Sequence, residues 1–285
     1  MLKIGMHISI LDSLDRAVDR AHQVGCNTLQ IFTRNPRGWV YRELKTDEVE
    51  AFKMKRELTK IDPAFAHTPY LTNLSSPRET VYWRSVESVK VELMRCGMLG
   101  IPFVVTHLGS HLGLGKSEGR KRVISAINDS LLAVRNEVFL LLENSAGTRN
   151  SVGSHLREVG EIIMNLEDEE RVGFCFDTCH GYAAGYDLKT TEGVENTIDE
   201  IDSLIGFEKL RVVHLNDSKG SLGSRVDRHE HIGLGRIGEE GFVNILRSRL
   251  SEVPLILETP VDNRRSDREN LAKVRELWER AQKQP

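Results

Sequence analysis

The sequence predicts an α/β protein folded as a (β/α)8 TIM barrel, and two observations lead to that fold class. Eight short apolar, β-branched or aromatic runs recur along its 285 residues, and most are apolar on both faces, as in strands buried on both sides of a parallel sheet. Polar segments with helical spacing separate the runs. Eight such repeats with right-handed crossovers favour a closed barrel over an open sheet.

The predicted strands are short and rich in Val, Ile, Leu and Phe. In chain order they are 4–9, 28–33, 64–68, 103–108, 138–144, 172–178, 210–217 and 254–259. Pro63, Pro102 and Pro254 lie at or just before three of them, where a missing amide donor is tolerated.

The segments between the strands are predicted to form helices with a polar face. Examples are 11–25, 46–60, 78–100, 154–166 and 270–282. Asp12, Thr46 and Ser154 are the expected N-caps, and Gly25 and Gly100 are the expected C-terminal stops.

Composition predicts a folded cytoplasmic protein with one domain over residues 1–285. The hydrophobic content of 39% supports a large core. The sequence shows no run of 18 apolar residues and no secretory signal, so no membrane association is expected. The four cysteines are expected to be reduced core thiols. A net charge of −3 argues mildly against nucleic acid, but three divalent cations would add positive charge in one cleft.

Residues of metal-ligand type stand at the ends of six consecutive predicted strands. They are His67, His107, Glu143, Asp177, His214 and Glu258. In a TIM barrel these ends meet at one face, where active sites are built. One such residue alone indicates a cap or a solvated loop, but six together need cations to offset desolvation and like-charge repulsion. Imidazole and carboxylate ligands favour zinc, manganese or iron over magnesium or calcium, with zinc as the first expectation.

Three further candidates lie in predicted loops. His180 follows Asp177 by three residues, and Asp227 and His229 lie in the long loop after the seventh strand. A spacing of two residues lets Asp227 and His229 point the same way from an extended segment. These three side chains are the candidates for a separate metal site.

Long motifs occur in order along almost the whole chain. They are HTPYLTNL (67–74), THLGSHLG (106–113), LLLENSAG (140–147), FDTCHGYAAGYDL (176–188), HLNDSKGSLGSRVDRHEHIGLG (214–235) and LILETP (255–260). Together they closely resemble the motifs of the endonuclease IV family of apurinic/apyrimidinic endonucleases. The resemblance implies a (β/α)8 barrel with three zinc ions per chain.

The resemblance also implies which residues hold each ion. The first zinc would be held by His67, His107 and Glu143. The second would be held by Glu143, Asp177, His214 and Glu258, so that Glu143 bridges the two. The third would be held by His180, Asp227 and His229. Glu143 and Glu258 are the implied catalytic residues, and Glu258 would orient or deprotonate the attacking water.

Two loops resemble the DNA-binding loops of the family. In NPRGW (35–39), Arg37 would enter the base stack, and in PYL (69–71), Tyr70 and Leu71 would fill the gap left by a flipped sugar. An abasic nucleotide has no base to unstack, so its extrusion costs little and a side chain can take its place.

The implied activity is hydrolysis of the phosphodiester 5′ to an abasic site in duplex DNA. The products would be a 3′-hydroxyl and a 5′-deoxyribose phosphate, and removal of blocking groups from 3′ ends is also implied. The expected partner is double-stranded DNA that contains abasic sites, and the expected state is a monomer.

Two other functions are open on the sequence alone. Sugar isomerases and epimerases with xylose-isomerase-like barrels also place His, Glu and Asp at strand ends around divalent metals. A sugar isomerase or epimerase function does not account for the third ligand set or for the loops that carry Arg37 and Tyr70. A non-catalytic module that binds damaged DNA predicts lost ligands, whereas all nine are present. The remaining nearby histidines, His7, His111 and His231, are expected to support the ligands or lie at the surface.

Overall fold

The computed structural model describes residues 2–283, in which eight parallel strands form a closed barrel. In ring order they are β1 (Ile4–Ile8), β2 (Thr28–Ile31), β3 (Ala64–His67), β4 (Phe103–His107), β5 (Phe139–Glu143), β6 (Val172–Asp177), β7 (Leu210–His214) and β10 (Leu255–Leu257). Pairing of β10 with β1 closes the ring. The predicted fold class is confirmed. Two short strands, β8 (Asp217–Ser218) and β9 (His229–Glu230), form an antiparallel pair after β7.

Helices follow the barrel strands along the chain. They are α1 (Leu14–Val24), α2 (Thr46–Thr59), α3 (Glu79–Leu99), α4 (Lys116–Ala133), α5 (Leu156–Met164), α6 (Thr178–Ala184), α7 (Thr191–Leu204), α8 (Gly238–Arg247) and α9 (Asp267–Lys283). Their buried faces join those of the strands in one large apolar core. Gly25 and Gly100 end α1 and α3 in the left-handed conformation, with φ of 96° and 64°, so both predicted stops are confirmed.

The expected N-caps Asp12, Thr46 and Ser154 are each wrong by one residue. The residues that precede α1, α2 and α5 are Ser13, Lys45 and His155, and none of them caps its helix with a side-chain hydrogen bond. The expectation rested on side-chain capping. Burial of the apolar face, and not a cap, therefore fixes where these helices begin.

The predicted strands run one to three residues past the carboxyl ends of the observed strands. Just beyond those ends some amides still donate to a neighbouring strand, as that of Thr68 does to the Val105 carbonyl at 2.9 Å, whereas others donate to side chains. The amide of Glu258, one residue after β10, donates to Asn216 Oδ1 at 2.7 Å. The apolar pattern therefore continues past the last residue of each strand and does not mark where the strand ends.

An apolar plug fills the barrel below its carboxyl-terminal end, here called the mouth. The plug consists of Phe65, Val105, Leu141, Cys175, Val212 and Ile256. Because side chains on a strand alternate with a period of two, the residue two positions later faces the interior again. Those residues are His67, His107, Glu143, Asp177, His214 and Glu258. Strand parity alone therefore aims the six predicted strand-end side chains into the mouth.

The cysteines contribute to packing. All four are buried free thiols, as predicted. Burial raises the pKa of Cys26, Cys175 and Cys179 to about 12, so these thiols stay protonated at neutral pH. Between residues 2 and 283, no helix has the length and apolar character needed to cross a membrane.

Candidate active site

Every barrel strand places a polar side chain at the mouth. Six of these side chains are the predicted strand-end residues. The other two are His7 of β1 and Gln30 of β2, which pair in register. The structure thus brings all six predicted residues into one layer and adds two more.

The first group of facing ligand atoms comes from His67, His107 and Glu143. Oε2 of Glu143 lies 3.1 Å from His67 Nε2 and 3.3 Å from His107 Nδ1. Ligand atoms from the three residues all lie within 4.8 Å of one another. His67 and Glu143 are buried, whereas His107 is partly exposed.

The second group uses the other oxygen of Glu143. Its Oε1 lies 3.2 Å from His214 Nδ1. The same nitrogen lies 3.4 Å from Glu258 Oε2 and 3.9 Å from Asp177 Oδ2. These four residues also offer ligand atoms within 4.8 Å of one another. Glu143 therefore faces both groups, one with each oxygen.

The third group consists of His180, Asp227 and His229. Oδ1 of Asp227 lies 3.1 Å from His180 Nε2 and 3.8 Å from His229 Nε2. The expected loop position of His180 is wrong, because α6 begins directly after β6. Asp177 caps this helix by accepting a hydrogen bond from the His180 amide at 2.7 Å, so the first helical turn carries His180 to the mouth.

The separations within the three groups suit divalent metal ions. A tetrahedral zinc ion with ligands at about 2.0–2.1 Å holds its ligand atoms about 3.3 Å apart. The closest contacts in the groups are 3.1–3.4 Å. Each group could therefore hold an ion with little movement of its side chains.

A fourth combination of ligand atoms, from Asp177, Cys179 and His229, also lies within 4.8 Å. It shares Asp177 with the second group and His229 with the third. Burial raises the pKa of Cys179 to about 12, which opposes the thiolate that a metal would need. The imidazole and carboxylate groups are therefore the better sites.

Hydrogen bonds fix the orientation of three of the imidazoles. His67 Nδ1 donates to the Thr68 carbonyl at 2.7 Å, His180 Nδ1 to the Asn144 carbonyl at 2.9 Å, and His229 Nδ1 to the Glu258 carbonyl at 2.9 Å. Because a carbonyl oxygen only accepts, Nδ1 carries the proton in each ring. The Nε2 lone pairs are therefore free to bind metal.

Gln30 orients the second group, and the sequence reasoning missed it. Its Oε1 accepts a hydrogen bond from His214 Nε2 at 2.8 Å, which leaves His214 Nδ1 free to face the carboxylates. Its Nε2 donates to Glu258 Oε1 at 2.8 Å. A polar residue within the apolar run 28–33, at the parity that faces the interior, was the available signal.

The imidazoles and carboxylates of the cluster stabilise one another's charged forms. Burial raises the pKa of Glu143, but the imidazoles of His107 and His214 outweigh burial and keep that pKa well below its usual value. Burial lowers the pKa of His180, yet the carboxylates of Asp177 and Asp227 raise it well above its usual value. Buried carboxylates are thus balanced by positive charge. Protons and metal ions compete for the same imidazoles.

A cavity of about 380 Å³ opens over the cluster. Members of all three groups line it together with the rings of Phe32 and Tyr70. These two rings pack edge to face, with centroids 5.0 Å apart. The cavity therefore combines ligand atoms on its floor with an aromatic wall.

Comparison with known proteins places this barrel in a family. Residues 18–281 match the family model described as a xylose isomerase-like TIM barrel. A protein from Methanoculleus marisnigri named probable endonuclease 4 is 53% identical over 279 residues, which cover 97% of this chain and 99% of that protein. A protein of the same name from Nitrosopumilus maritimus is 45% identical, with 97% and 100% covered.

The chain belongs to the endonuclease IV family. The resemblance drawn from the sequence motifs is therefore confirmed. The crystal structure of endonuclease IV from Thermus thermophilus has a TM-score of 0.85 to this chain at 36% identity, and 98% of each chain is covered. A D-tagatose 3-epimerase-like protein has a TM-score of 0.73 at 19% identity, covering 98% and 97%. That second likeness shows a shared fold alone.

The two loops with DNA-binding resemblance lie beside the cavity in this endonuclease IV family member. Arg37 is exposed, and Tyr70 and Leu71 are 64% and 37% exposed. The loops touch through a hydrogen bond from the Tyr70 amide to the Pro36 carbonyl at 3.1 Å. Exposed aromatic and apolar side chains are thus presented together at the rim.

A buried ion pair anchors the loop that carries Arg37. Arg34 Nε donates to Glu92 Oε1 of α3 at 2.7 Å, and both side chains are almost fully buried. The same guanidinium donates through Nη1 to the carbonyls of Gly38 and Trp39, each at 3.3 Å. Burial raises the pKa of Glu92 despite the attraction of Arg34. Removing one partner would leave the other charge buried and unpaired.

We expect Glu92→Gln to lower the free energy of unfolding by about 3 kcal/mol, because it leaves the Arg34 guanidinium without its counter-charge. Urea unfolding of the metal-loaded protein measures the change. Glu118→Gln is the control, since Glu118 and its partner Lys121 are 49% and 72% exposed and such pairs contribute less than about 1 kcal/mol. Equal effects of the two substitutions would show that the buried pair does not anchor the loop.

Proposed function

We propose that this member of the endonuclease IV family, a family of DNA-cleaving hydrolases, hydrolyses the phosphodiester 5′ to abasic sites in duplex DNA. The products are a 3′-hydroxyl and a 5′-deoxyribose phosphate, and the same site removes blocking groups from 3′ ends. The protein acts as a monomer in the cytoplasm. The observation that carries the proposal is the cluster of three ligand groups beside a rim that presents Arg37, Tyr70 and Leu71.

The proposed cofactor is three zinc ions per chain, one in each group. His67, His107 and Glu143 hold the first ion. Glu143, Asp177, His214 and Glu258 hold the second, and His180, Asp227 and His229 hold the third. Nitrogen and oxygen ligands, with no favourable thiolate, support this assignment. Zinc supplies positive charge for the phosphate oxygens and makes water acidic enough to react near neutral pH.

Glu258 is the proposed proton acceptor for the attacking water. It lines the cavity, and Oε1 is held by Gln30 Nε2 at 2.8 Å and His7 Nδ1 at 3.0 Å. Burial raises the pKa of Glu258, but the imidazole of His214 and the hydrogen bond from His7 hold it well below its usual value. The carboxylate is therefore ionised and oriented before substrate arrives. Glu143 faces each of the first two groups with one oxygen and therefore fixes their positions relative to each other.

The rim residues account for recognition of an abasic nucleotide. A nucleotide without a base is extruded at low cost, because no stacking or pairing is lost. Tyr70 and Leu71 are exposed next to the cavity and can occupy the vacated space, while Arg37 enters the stack from the adjoining loop. The hydrogen bond between Tyr70 and Pro36 makes the two loops act together.

The direct test uses a duplex with one abasic site. We expect the purified protein to cut the damaged strand on the 5′ side of that site and to leave an undamaged duplex intact. Treatment with a chelator abolishes cutting, and added zinc restores it. Cutting that persists after all metal is removed, or equal cutting of both duplexes, would contradict the proposal.

Tyr70→Ala tests the recognition role. We expect discrimination between abasic and intact duplex, measured as the ratio of kcat/KM values, to fall by about tenfold, since one base-aromatic contact is lost. The zinc content stays unchanged, because Tyr70 belongs to none of the ligand groups. Trp83→Ala is the control, because Trp83 is 54% exposed on α3 and lies outside the cavity lining. Unchanged discrimination in Tyr70→Ala would remove this residue from recognition.

A further inference from the structure

A second cavity lies beside the candidate active site, between the loops that follow β4, β5 and β7. Its volume is about 350 Å³. Lys116 is the first residue of α4, Arg149 lies in the loop after β5, and Arg225 lies between β8 and β9, in the segment that follows β7. The nine residues of the three ligand groups all lie within residues 2–283, and none of them lines this cavity. The cavity is therefore separate from the three ligand groups.

The side chains around this second cavity are strongly cationic. Lys116, Arg149 and Arg225 are exposed, and within residues 2–283 their charged groups have no ion-pair or hydrogen-bond partner. His111 and His155 also line the cavity, and no carboxylate among the described residues does so. In a chain with a net charge of −3, three uncompensated cations in one concavity favour an anion.

The cavity walls are fixed by hydrogen bonds between loops. The His111 amide donates to the Asn150 carbonyl at 2.9 Å, and the Arg225 amide donates to the Ala183 carbonyl at the end of α6, also at 2.9 Å. His111 Nδ1 accepts from the Gly115 amide at 3.1 Å. Its proton therefore resides on Nε2, which leaves a donor on a side chain that lines the cavity.

A groove joins the second cavity to the candidate active site. The groove shares Thr148 and Ser151 with the cavity. It shares His180 and Asp227 with the third ligand group. Arg225 precedes Asp227 by two residues, a span of at most about 7 Å of backbone. An anion in the cavity would therefore be close to a phosphate held by the ligand groups.

We propose that this cavity binds a phosphate of the cleaved DNA strand that neighbours the phosphodiester being cut. The inference rests on the proposed function, because it takes the ligand to be DNA. The ligand class is a phosphate group, held by the Arg149 and Arg225 guanidinium groups, the Lys116 ammonium and the His111 imidazole. Guanidinium groups suit phosphate because their donors match two oxygens at once.

The test compares Arg149→Gln and Arg225→Gln in the zinc-loaded full-length protein. Each raises KM for an abasic duplex by about tenfold, with kcat changed less than about twofold, because a charged contact to phosphate is lost. The slope of log KM against log salt concentration falls by about one. Arg135→Gln is the control, since Arg135 is also exposed but follows α4 at the opposite end of the barrel, and it changes neither quantity. The zinc content of Arg225→Gln is checked, because Asp227 is near.

A scan with neutral methylphosphonate linkages identifies the phosphate. The wild-type protein loses about tenfold in kcat/KM when one particular linkage near the abasic site is neutral, and Arg149→Gln loses clearly less at that linkage, because one of the charges that held the phosphate is already gone. Unchanged KM and salt slope in both variants, or additive losses at every linkage, would overturn the proposal. Weaker inhibition by inorganic phosphate with unchanged KM for DNA would also overturn it, since the cavity would then serve free phosphate.

The binding of an undamaged duplex separates this inference from the proposed function. Fluorescence anisotropy measures the salt dependence of that binding without any cutting. A smaller salt slope in Arg149→Gln than in the wild-type protein supports the cavity as a DNA-phosphate site, even if the wild-type protein fails to cut abasic DNA. If the wild-type protein cuts abasic DNA and Arg149→Gln has the same salt slope, the result would contradict the cavity as a phosphate site but not the proposed function.

Discussion

The crowding of buried carboxylates and imidazoles at one end of the barrel is the constraint on which the rest of the structure depends. Glu143, Asp177 and His214 are at most 1% exposed, the imidazole lies within 4 Å of both carboxylates, and the carboxylates offer oxygens within 4.8 Å of one another. Burial of an isolated carboxylate is costly, and two carboxylates close together repel each other. Such a cluster persists only if positive charge lies among its members. The same positive charge is what a phosphodiester needs in order to bind and react.

The fold meets this constraint with rigid elements. The apolar plug sets the parity of each strand, and the polar layer follows two residues later. Carbonyl oxygens and the Gln30 amide then fix the imidazole rings of His67, His180, His214 and His229. A site assembled from strand ends and locked rings needs little rearrangement when ions and substrate bind. The loop that carries Arg37 has no regular secondary structure, and the Arg34–Glu92 pair anchors it instead.

Much of this could be predicted from the sequence, because the signals were periodic or local. Eight apolar runs predicted the barrel, and the positions of Glu143 and Asp177 at strand ends predicted the layer of polar side chains at the mouth. His180 lies beside Asp227 and His229, but the sequence reasoning placed it in a loop, since a seven-residue helix leaves little periodic signal. Gln30 was missed because one amide in an apolar run indicates nothing about its partner. The Arg34–Glu92 pair joins residues 58 positions apart, and no local pattern predicts such a contact.

The most direct measurement of the central claim is anomalous X-ray diffraction at the zinc absorption edge from crystals of the protein. The account predicts three anomalous peaks per chain. One lies among His67, His107 and Glu143, a second is on the opposite side of Glu143 beside His214, and a third lies among His180, Asp227 and His229. A map with no peak in these groups, collected from active protein, would contradict the account.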